Sequence, residues 1–272
     1  VNDLGTGRYG SGSFGTSTAA LLGGGGYPYK ANTEIWNGTN WTEVNDLNVA
    51  HSTCGGSGTT TAGLIAGGGP APAAALTELW NGTNWTEVND LGTGRYNVAS
   101  SKDSSTSALL FGGRTPPGGS TSAIRTFTES WNGTNWTEVG DLTLARYGLG
   151  GAGADNTAAL GFGGYATPPN GLVGNTEVWN GSSWTEQGDL STAREYAGAA
   201  GTSTSALAIG GDTSAPGASS SALTEEWQGA GQAVGVWSTG GTLNAVRLSA
   251  GSSGTKEASL AFGGTGSSSY LA

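Results

Sequence analysis

Apolar positions along this chain come in short bursts separated by Gly, Ser, Thr and Asn, and no stretch repeats with the 3.6-residue period of a helix. The bursts are strand-sized. A run of small residues, such as 148–153, is followed by an apolar run that ends in Gly-Gly, such as Ala108-Leu109-Leu110-Phe111. A third burst ends in Thr-Glu-x-Trp, as at 176–179, and a fourth opens on Trp-Thr-Glu. Asn-Gly lies between the third and fourth. It signals a hairpin, because both residues tolerate the positive φ of a type I′ turn. Each unit is therefore predicted to form four short antiparallel strands.

The unit repeats. WNGTNWTEVNDL occurs at 36–47 and again at 80–91, with close variants starting at Trp131 and Trp179 and a degenerate copy from Trp227 to Trp237. Ten residues after each second Trp stands a basic residue (His51, Arg95, Arg146, Arg194 and Arg247), and Arg8 matches them near the start. A Gly pair follows 16 or 17 residues later, from Gly24-Gly25 to Gly263-Gly264, with a Leu three residues ahead of it in all six copies. The spacing of the basic positions is 43–53 residues. Four-stranded units at that period predict the blades of a β-propeller. Small residues in the first strand suit an innermost position, where several backbones converge. The paired Trp and the Leu and Phe of the second strand then fill the space between blades.

A basic residue, a small-residue strand, a Gly-Gly doublet, a Glu-x-aromatic strand and a following Trp together resemble the Kelch repeat, and the resemblance covers essentially the whole chain. Trp where Kelch repeats usually carry Tyr, and the Asn-Gly-Thr-Asn turn, depart from it. The WNGTNWTE arrays also resemble repeat proteins of marine bacteria and their phages. The resemblance implies one all-β domain over 1–272, a Kelch-like β-propeller of four-stranded antiparallel blades, six in the simplest closure and seven as the alternative. About a dozen residues of the sixth blade are expected before Val1 or beyond Ala272.

Composition narrows the function. Gly accounts for 52 of 272 residues, but its fixed places argue for tight turns and close packing rather than disorder. The formal charge is −10 with only 11% charged residues, a poor balance for nucleic acid, whose phosphates call for Lys and Arg. No 18-residue apolar run predicts membrane insertion. His51 and Cys54 are each the only residue of their kind, too few ligands for a metal site or for copper-oxidase chemistry, and no cofactor motif is present. No Ser-based triad or dedicated carboxylate pair stands apart from the repeat, so no catalytic residue is expected.

Length varies mainly between Gly-Gly and the third strand, at 27–32, 69–76, 114–127, 165–175 and 212–223, where most of the Pro also falls. Variable loops on a rigid scaffold are where binding resides. In an up-and-down blade the basic positions share that face. Arg8, His51, Arg95, Arg146, Arg194 and Arg247, with Tyr9, Tyr96, Tyr147 and Tyr196 beside them, are expected to ring one mouth of the central channel. In Kelch domains, arginines at this place can line a pocket. Guanidinium forks suit anionic groups, and tyrosine faces suit sugars or peptides. The competing reading is structural: every complete copy also carries Glu in its third strand (Glu34, Glu78, Glu129, Glu177 and Glu225), which could pair with the basic residue.

The function expected from this sequence is a non-catalytic recognition module, extracellular or virion-borne, such as a phage tail or fibre component meeting a glycan or protein. A purely structural subunit bound to other virion subunits is one alternative. A Kelch-type carbohydrate enzyme, an epimerase or lyase, is the other.

Overall fold

The computed structural model describes residues 3–70, 73–116, 123–167, 169–214 and 220–266. Parts of the variable loops, at 71–72, 117–122, 168 and 215–219, lie outside the described residues, as do both chain ends. The described residues form strands, one 3-10 turn at Ala73–Ala75, and no α-helix. Among the described residues no helix is long and apolar enough to cross a membrane.

Five sheets have four antiparallel strands each, in sequence order. The first contains β1 (Gly12–Gly15), β2 (Ala20–Gly23), β3 (Thr33–Trp36) and β4 (Trp41–Val44). The second contains β5 (Gly55–Thr59), β6 (Ala62–Ala66), β7 (Thr77–Trp80) and β8 (Trp85–Glu87). The third runs through β9 (Ala99–Ser100), β10 (Leu109–Phe111), β11 (Thr128–Trp131) and β12 (Trp136–Glu138). In the fourth repeat, β13 (Arg146–Tyr147), β16 (Tyr165–Ala166) and β17 (Gly171–Leu172) make a small accessory sheet beside the blade-like sheet of β14 (Gly150–Asp155), β15 (Ala158–Phe162), β18 (Thr176–Trp179) and β19 (Trp184–Glu186). The fifth comprises β20 (Gly198–Gly201), β21 (Ser205–Ile209), β22 (Ser221–Gln228) and β23 (Val236–Arg247), and a sixth repeat contributes β24 (Gly251–Gly254) and β25 (Ser259–Phe262).

The Asn-Gly hairpin forms at the expected place but with a different turn. Trp36 pairs with Trp41, which leaves a four-residue loop. Gly38 takes φ 90°, whereas the positive φ expected of Asn37 is absent. Asn37 instead uses its Oδ1 to accept the amides of Thr39 and Asn40, both at 2.9 Å. The side chain thus does the work that a second left-handed residue would do in a type I′ turn.

The core lies between neighbouring sheets. One cluster joins Leu109 and Phe111 to Trp179 and Trp184 of the next repeat, and another joins Leu160 and Phe162 to Trp227. The two Trp of a repeat divide the labour. The third-strand indole hydrogen-bonds within its own repeat, as Trp131 does to the Ser105 carbonyl at 3.1 Å. The fourth-strand indole reaches back to the previous repeat's third-strand Thr: Trp85 to Thr33, Trp136 to Thr77, Trp184 to Thr128 and Trp237 to Thr176, all at 2.9–3.0 Å. Apolar burial supplies most of the stabilisation, and the indole N–H fixes the angle between sheets.

Two backbone relays connect the repeats in cyclic order. The second Gly of each doublet donates to the carbonyl of the next basic residue: Gly25 to His51, Gly68 to Arg95, Gly113 to Arg146, Gly164 to Arg194, Gly211 to Arg247, and Gly264 to Arg8, which joins the last repeat to the first. The second relay passes through residues with φ between 52° and 64°, namely Gly10, Thr53, Asn97, Gly148, Tyr196 and Ser249. Each of their amides donates to the carbonyl of the member before it, and Gly10 donates to Ser249. Leu4 packs with Phe262 across the same junction.

The first strands of successive repeats touch in the same order, from β1 to β5, β9, β14, β20, β24 and back to β1. Their small residues are obligatory. A Cβ on Gly151 would lie 2.7 Å from the Ser100 carbonyl oxygen, whereas one on Gly241 would meet nothing within 4 Å. Gly151→Ala is therefore expected to destabilise the fold by about 1–3 kcal/mol through overpacking. Gly241→Ala should stay within about 0.5 kcal/mol of the parent. Urea denaturation of the two variants checks the contrast, and equal stabilities would contradict the close approach of these strands.

Candidate functional site

The basic residues do not form the accessible ring expected of them. Arg8, His51, Arg95, Arg146 and Arg194 are 0–1% exposed. Each lies inside its repeat against the third-strand Glu. Arg8 meets Glu34 at 2.7 Å, Arg95 meets Glu129 at 2.8 Å, Arg146 meets Glu177 at 2.7 Å and Arg194 meets Glu225 at 2.6 Å. The guanidinium also spans two carbonyls, as Arg146 does at Gly163 and Asn175. The other carboxylate oxygen holds the backbone arriving from the previous repeat, through the amides of Gly5, Gly92, Thr143 and Ser191. Burial pulls these arginines below their ordinary pKa, opposed by the paired carboxylates.

His51 keeps only part of this pattern. Its Nδ1 lies 2.7 Å from the Gly67 carbonyl and its Nε2 3.5 Å from Glu78. Burial favours the neutral form of Glu78, but the nearby His51 ring and the amides of Asn48 and Val49 outweigh it and hold the carboxyl low. Arg247 is half-buried and donates to the Gly263 carbonyl.

The physical reason for the correction is reach. The Arg precedes the innermost strand, and Glu on the third strand faces the same interior space, so the pair closes inward and leaves no guanidinium at the surface. Removing one partner strands a buried charge. Arg146→Ala should therefore cost about 3–5 kcal/mol. Arg146→Lys should also destabilise, because a single ammonium cannot span two carbonyls and a carboxylate. Chemical denaturation measures both, and an Arg146→Ala variant of parental stability would return Arg146 to the list of ligand contacts.

The four tyrosines are placed differently: Tyr9, Tyr96, Tyr147 and Tyr196 are all partly exposed. Asn97 and Tyr196, two members of the left-handed relay, line an axial channel of about 100 Å³, and Asn97 Nδ2 donates to the Tyr196 hydroxyl at 3.0 Å. Beside it the Arg114 guanidinium stacks 4.6 Å from the Tyr147 ring centroid and 6.0 Å from that of Tyr96. Tyr147 in turn packs on Tyr165 and Tyr196 at 5.4 and 6.2 Å. Burial, with Glu195 nearby, pushes the Tyr147 hydroxyl up to about 12 and that of Tyr196 well above its ordinary value.

Glu195 is the departure from the repeat. It occupies the place after the basic residue that Tyr9, Tyr96 and Tyr147 hold elsewhere. Its backbone exchanges both hydrogen bonds with Asp212, which sets the two acids side by side. Glu195 is 5% exposed, and its Oε2 has no hydrogen-bond partner. Burial, then Asp212, raise its carboxyl to about 7 against the opposing pull of Arg114.

An adjoining cleft of about 400 Å³ shares Thr53 and Asn97 with the channel and is lined by Tyr9, Tyr96, Pro70, Pro116 and the loop residues Tyr27 and Tyr29. Tyr27 and Tyr29 are 68% and 40% exposed and meet edge-to-face at 5.7 Å. Sequence reasoning located these loops but did not single out Tyr27, Tyr29, Arg114, Glu195 or Asp212. The signal for Glu195 was its break with the repeat. Nothing local distinguished Arg114.

No protein-family model matches the chain, and no curated protein matches it. Among solved structures it is similar to that of YjhT, with a TM-score of 0.74 and 13% identity over 100% of this chain and 95% of that one. At that identity the likeness bears on the fold alone.

The raised carboxyl carries a sign. Glu195 titrates near 7 when folded, against an ordinary value of 4.5, so the native state holds the extra proton between those limits. Linkage then makes stability fall as pH rises from about 4.5 to 7. Glu195→Gln, which stays neutral, should match the parent near pH 4 and exceed its melting temperature at pH 8. Superimposable melting profiles across that range would refute the assignment.

Proposed function

We propose that the chain is a six-bladed, Kelch-like β-propeller that serves a virion or cell surface as a non-catalytic recognition module, and that it contacts a glycan through the tyrosine-lined mouth. The cyclic order of both backbone relays and of the first-strand contacts supports the six-bladed reading. The observation that carries the recognition reading is the pair Tyr27 and Tyr29. They are large aromatic side chains left in solvent on the rim of a cleft, on a surface otherwise rich in Gly, Ser and Thr. Tyrosine offers a flat apolar face to a sugar ring and a hydroxyl for its substituents. Single exposed apolar residues are ordinary, but a paired set on a concave, loop-built rim beside a pore fits a binding site.

A second reading, a carbohydrate enzyme that moves a proton, is favoured by Glu195. A buried carboxyl that titrates near neutrality, with an unpartnered oxygen beside tyrosine hydroxyls and a guanidinium, has the properties of a general acid or base. Turnover of a sugar that disappears in Glu195→Gln would favour that reading over simple recognition.

Recognition is tested by glycan-array binding of the parent and of a Tyr27→Ala/Tyr29→Ala variant. Both side chains are exposed, so the melting temperature should not change while retention on the parent's glycans falls at least about tenfold, the loss of roughly 1.4 kcal/mol or more. Retention unaffected by the double substitution would overturn the assignment of the cleft. A parent that binds no glycan would leave the purely structural subunit as the better account.

A further inference from the structure

The axial channel holds a charge that the recognition reading does not use. Its lining runs continuously from the left-handed relay at Gly10, Thr53, Asn97, Gly148, Tyr196 and Ser249 to Lys102. Lys102 stands just beyond β9, the shortest of the innermost strands. β9 has only two residues, and Ser101 Oγ takes the Leu109 amide. The Lys102 main chain is fixed between two neighbouring repeats: its amide donates to the Gly153 carbonyl at 2.8 Å and its carbonyl accepts from Gly58 at 2.8 Å.

The side chain enters the pore. Its Nζ lies 3.5 Å from the Ser13 carbonyl of another repeat, the limit of a hydrogen bond, and among the described residues no carboxylate comes within 4 Å of it. The pore hydroxyls do not compensate. Ser13, Ser100 and Ser252 spend theirs on inter-strand contacts with the Ser252, Gly56 and Ala199 carbonyls. Lys102 is half-buried, and an ammonium partly withdrawn from water with one weak acceptor favours a counter-charge beside it. The void beside it, about 100 Å³, is several waters in size.

We propose that this channel is a binding site for a small monovalent anion, a halide, nitrate or one- to two-carbon carboxylate, held by the Lys102 ammonium. The anion supplies the counter-charge that the repeat architecture omits, and a void of about 100 Å³ suits small anions. Two other ionisable groups bear on the ammonium: Cys54, whose thiol burial pushes up to about 12 and so keeps neutral, and Asp103, the neighbouring residue in the chain. Burial lowers the Lys102 amine to about 8, against the opposing effects of those two groups, so anion binding weakens as pH rises past that value.

The chain has three lysines, Lys30, Lys102 and Lys256, which makes lysine-labelled NMR a direct readout. Chloride, nitrate, formate and acetate are titrated against gluconate at constant ionic strength. The expected result is a saturable shift of the Lys102 side-chain resonances that Lys30 and Lys256 do not share. A matching anion-dependent rise in melting temperature should appear in the parent and vanish in Lys102→Met. Uniform small shifts of all three lysines, or an anion effect that survives in Lys102→Met, would overturn the proposal. If Lys102→Met does not fold, the parent's NMR titration decides alone.

Discussion

The structure depends on a backbone carbonyl being offered by each repeat to the Gly-Gly doublet of the repeat before it. Each Gly-Gly doublet donates an amide to the carbonyl of the following basic residue, and the last such bond, Gly264 to Arg8, brings the two ends of the array together. The doublets take φ of 60–102°, a conformation that glycine reaches without steric cost. A side chain on the first Gly would meet the carbonyl of the following basic residue, as a Cβ on Gly163 would meet that of Arg194 at 2.5 Å. One on the second Gly would meet the carbonyl just after its own repeat's basic residue, as on Gly164 that of Tyr147 at 2.8 Å. The relay is therefore a constraint on residue type before it is a source of stability.

The ion pairs serve the same relay. Arg146 holds its own loop carbonyls with one nitrogen and Glu177 with another, while Glu177 fixes the amide of Thr143 in the incoming chain. The geometry makes the pair a buckle between consecutive repeats. Buried pairs of this kind specify an arrangement more than they stabilise it. His51, which replaces Arg in the second repeat, leaves Nε2 without a hydrogen bond and shows how much the forked side chain contributes.

Against this symmetric frame the chemically distinctive residues are exceptions. Glu195 replaces a tyrosine, Arg114 stands where Gly69 stands in the second repeat, and Lys102 follows the shortest of the innermost strands. Four non-Gly residues also sit at left-handed φ, among them the β-branched Thr53, and backbone strain of this kind collects at functional mouths. The symmetric array thus supplies rigidity, and its lapses supply the chemistry.

Strand order, the Trp pairs, the small-residue first strands and the repeat of four-stranded sheets were legible in the sequence, because each rests on local periodicity or on a residue type that one backbone conformation demands. The loops around Tyr27 and Arg114 were legible as a face, from their variable length. The fate of Arg8, Arg95, Arg146 and Arg194 was not. Whether a charged side chain faces solvent or folds inward depends on a carboxylate 26–34 residues away, and both outcomes share one sequence pattern. Tertiary packing alone brought Glu195 beside Asp212 and Arg114 beside Tyr147, since they come from different loops or repeats and no periodicity links them. Local chemistry encoded the elements, and only the packing of the repeats against one another decided which of their charges were spent on buried ion pairs.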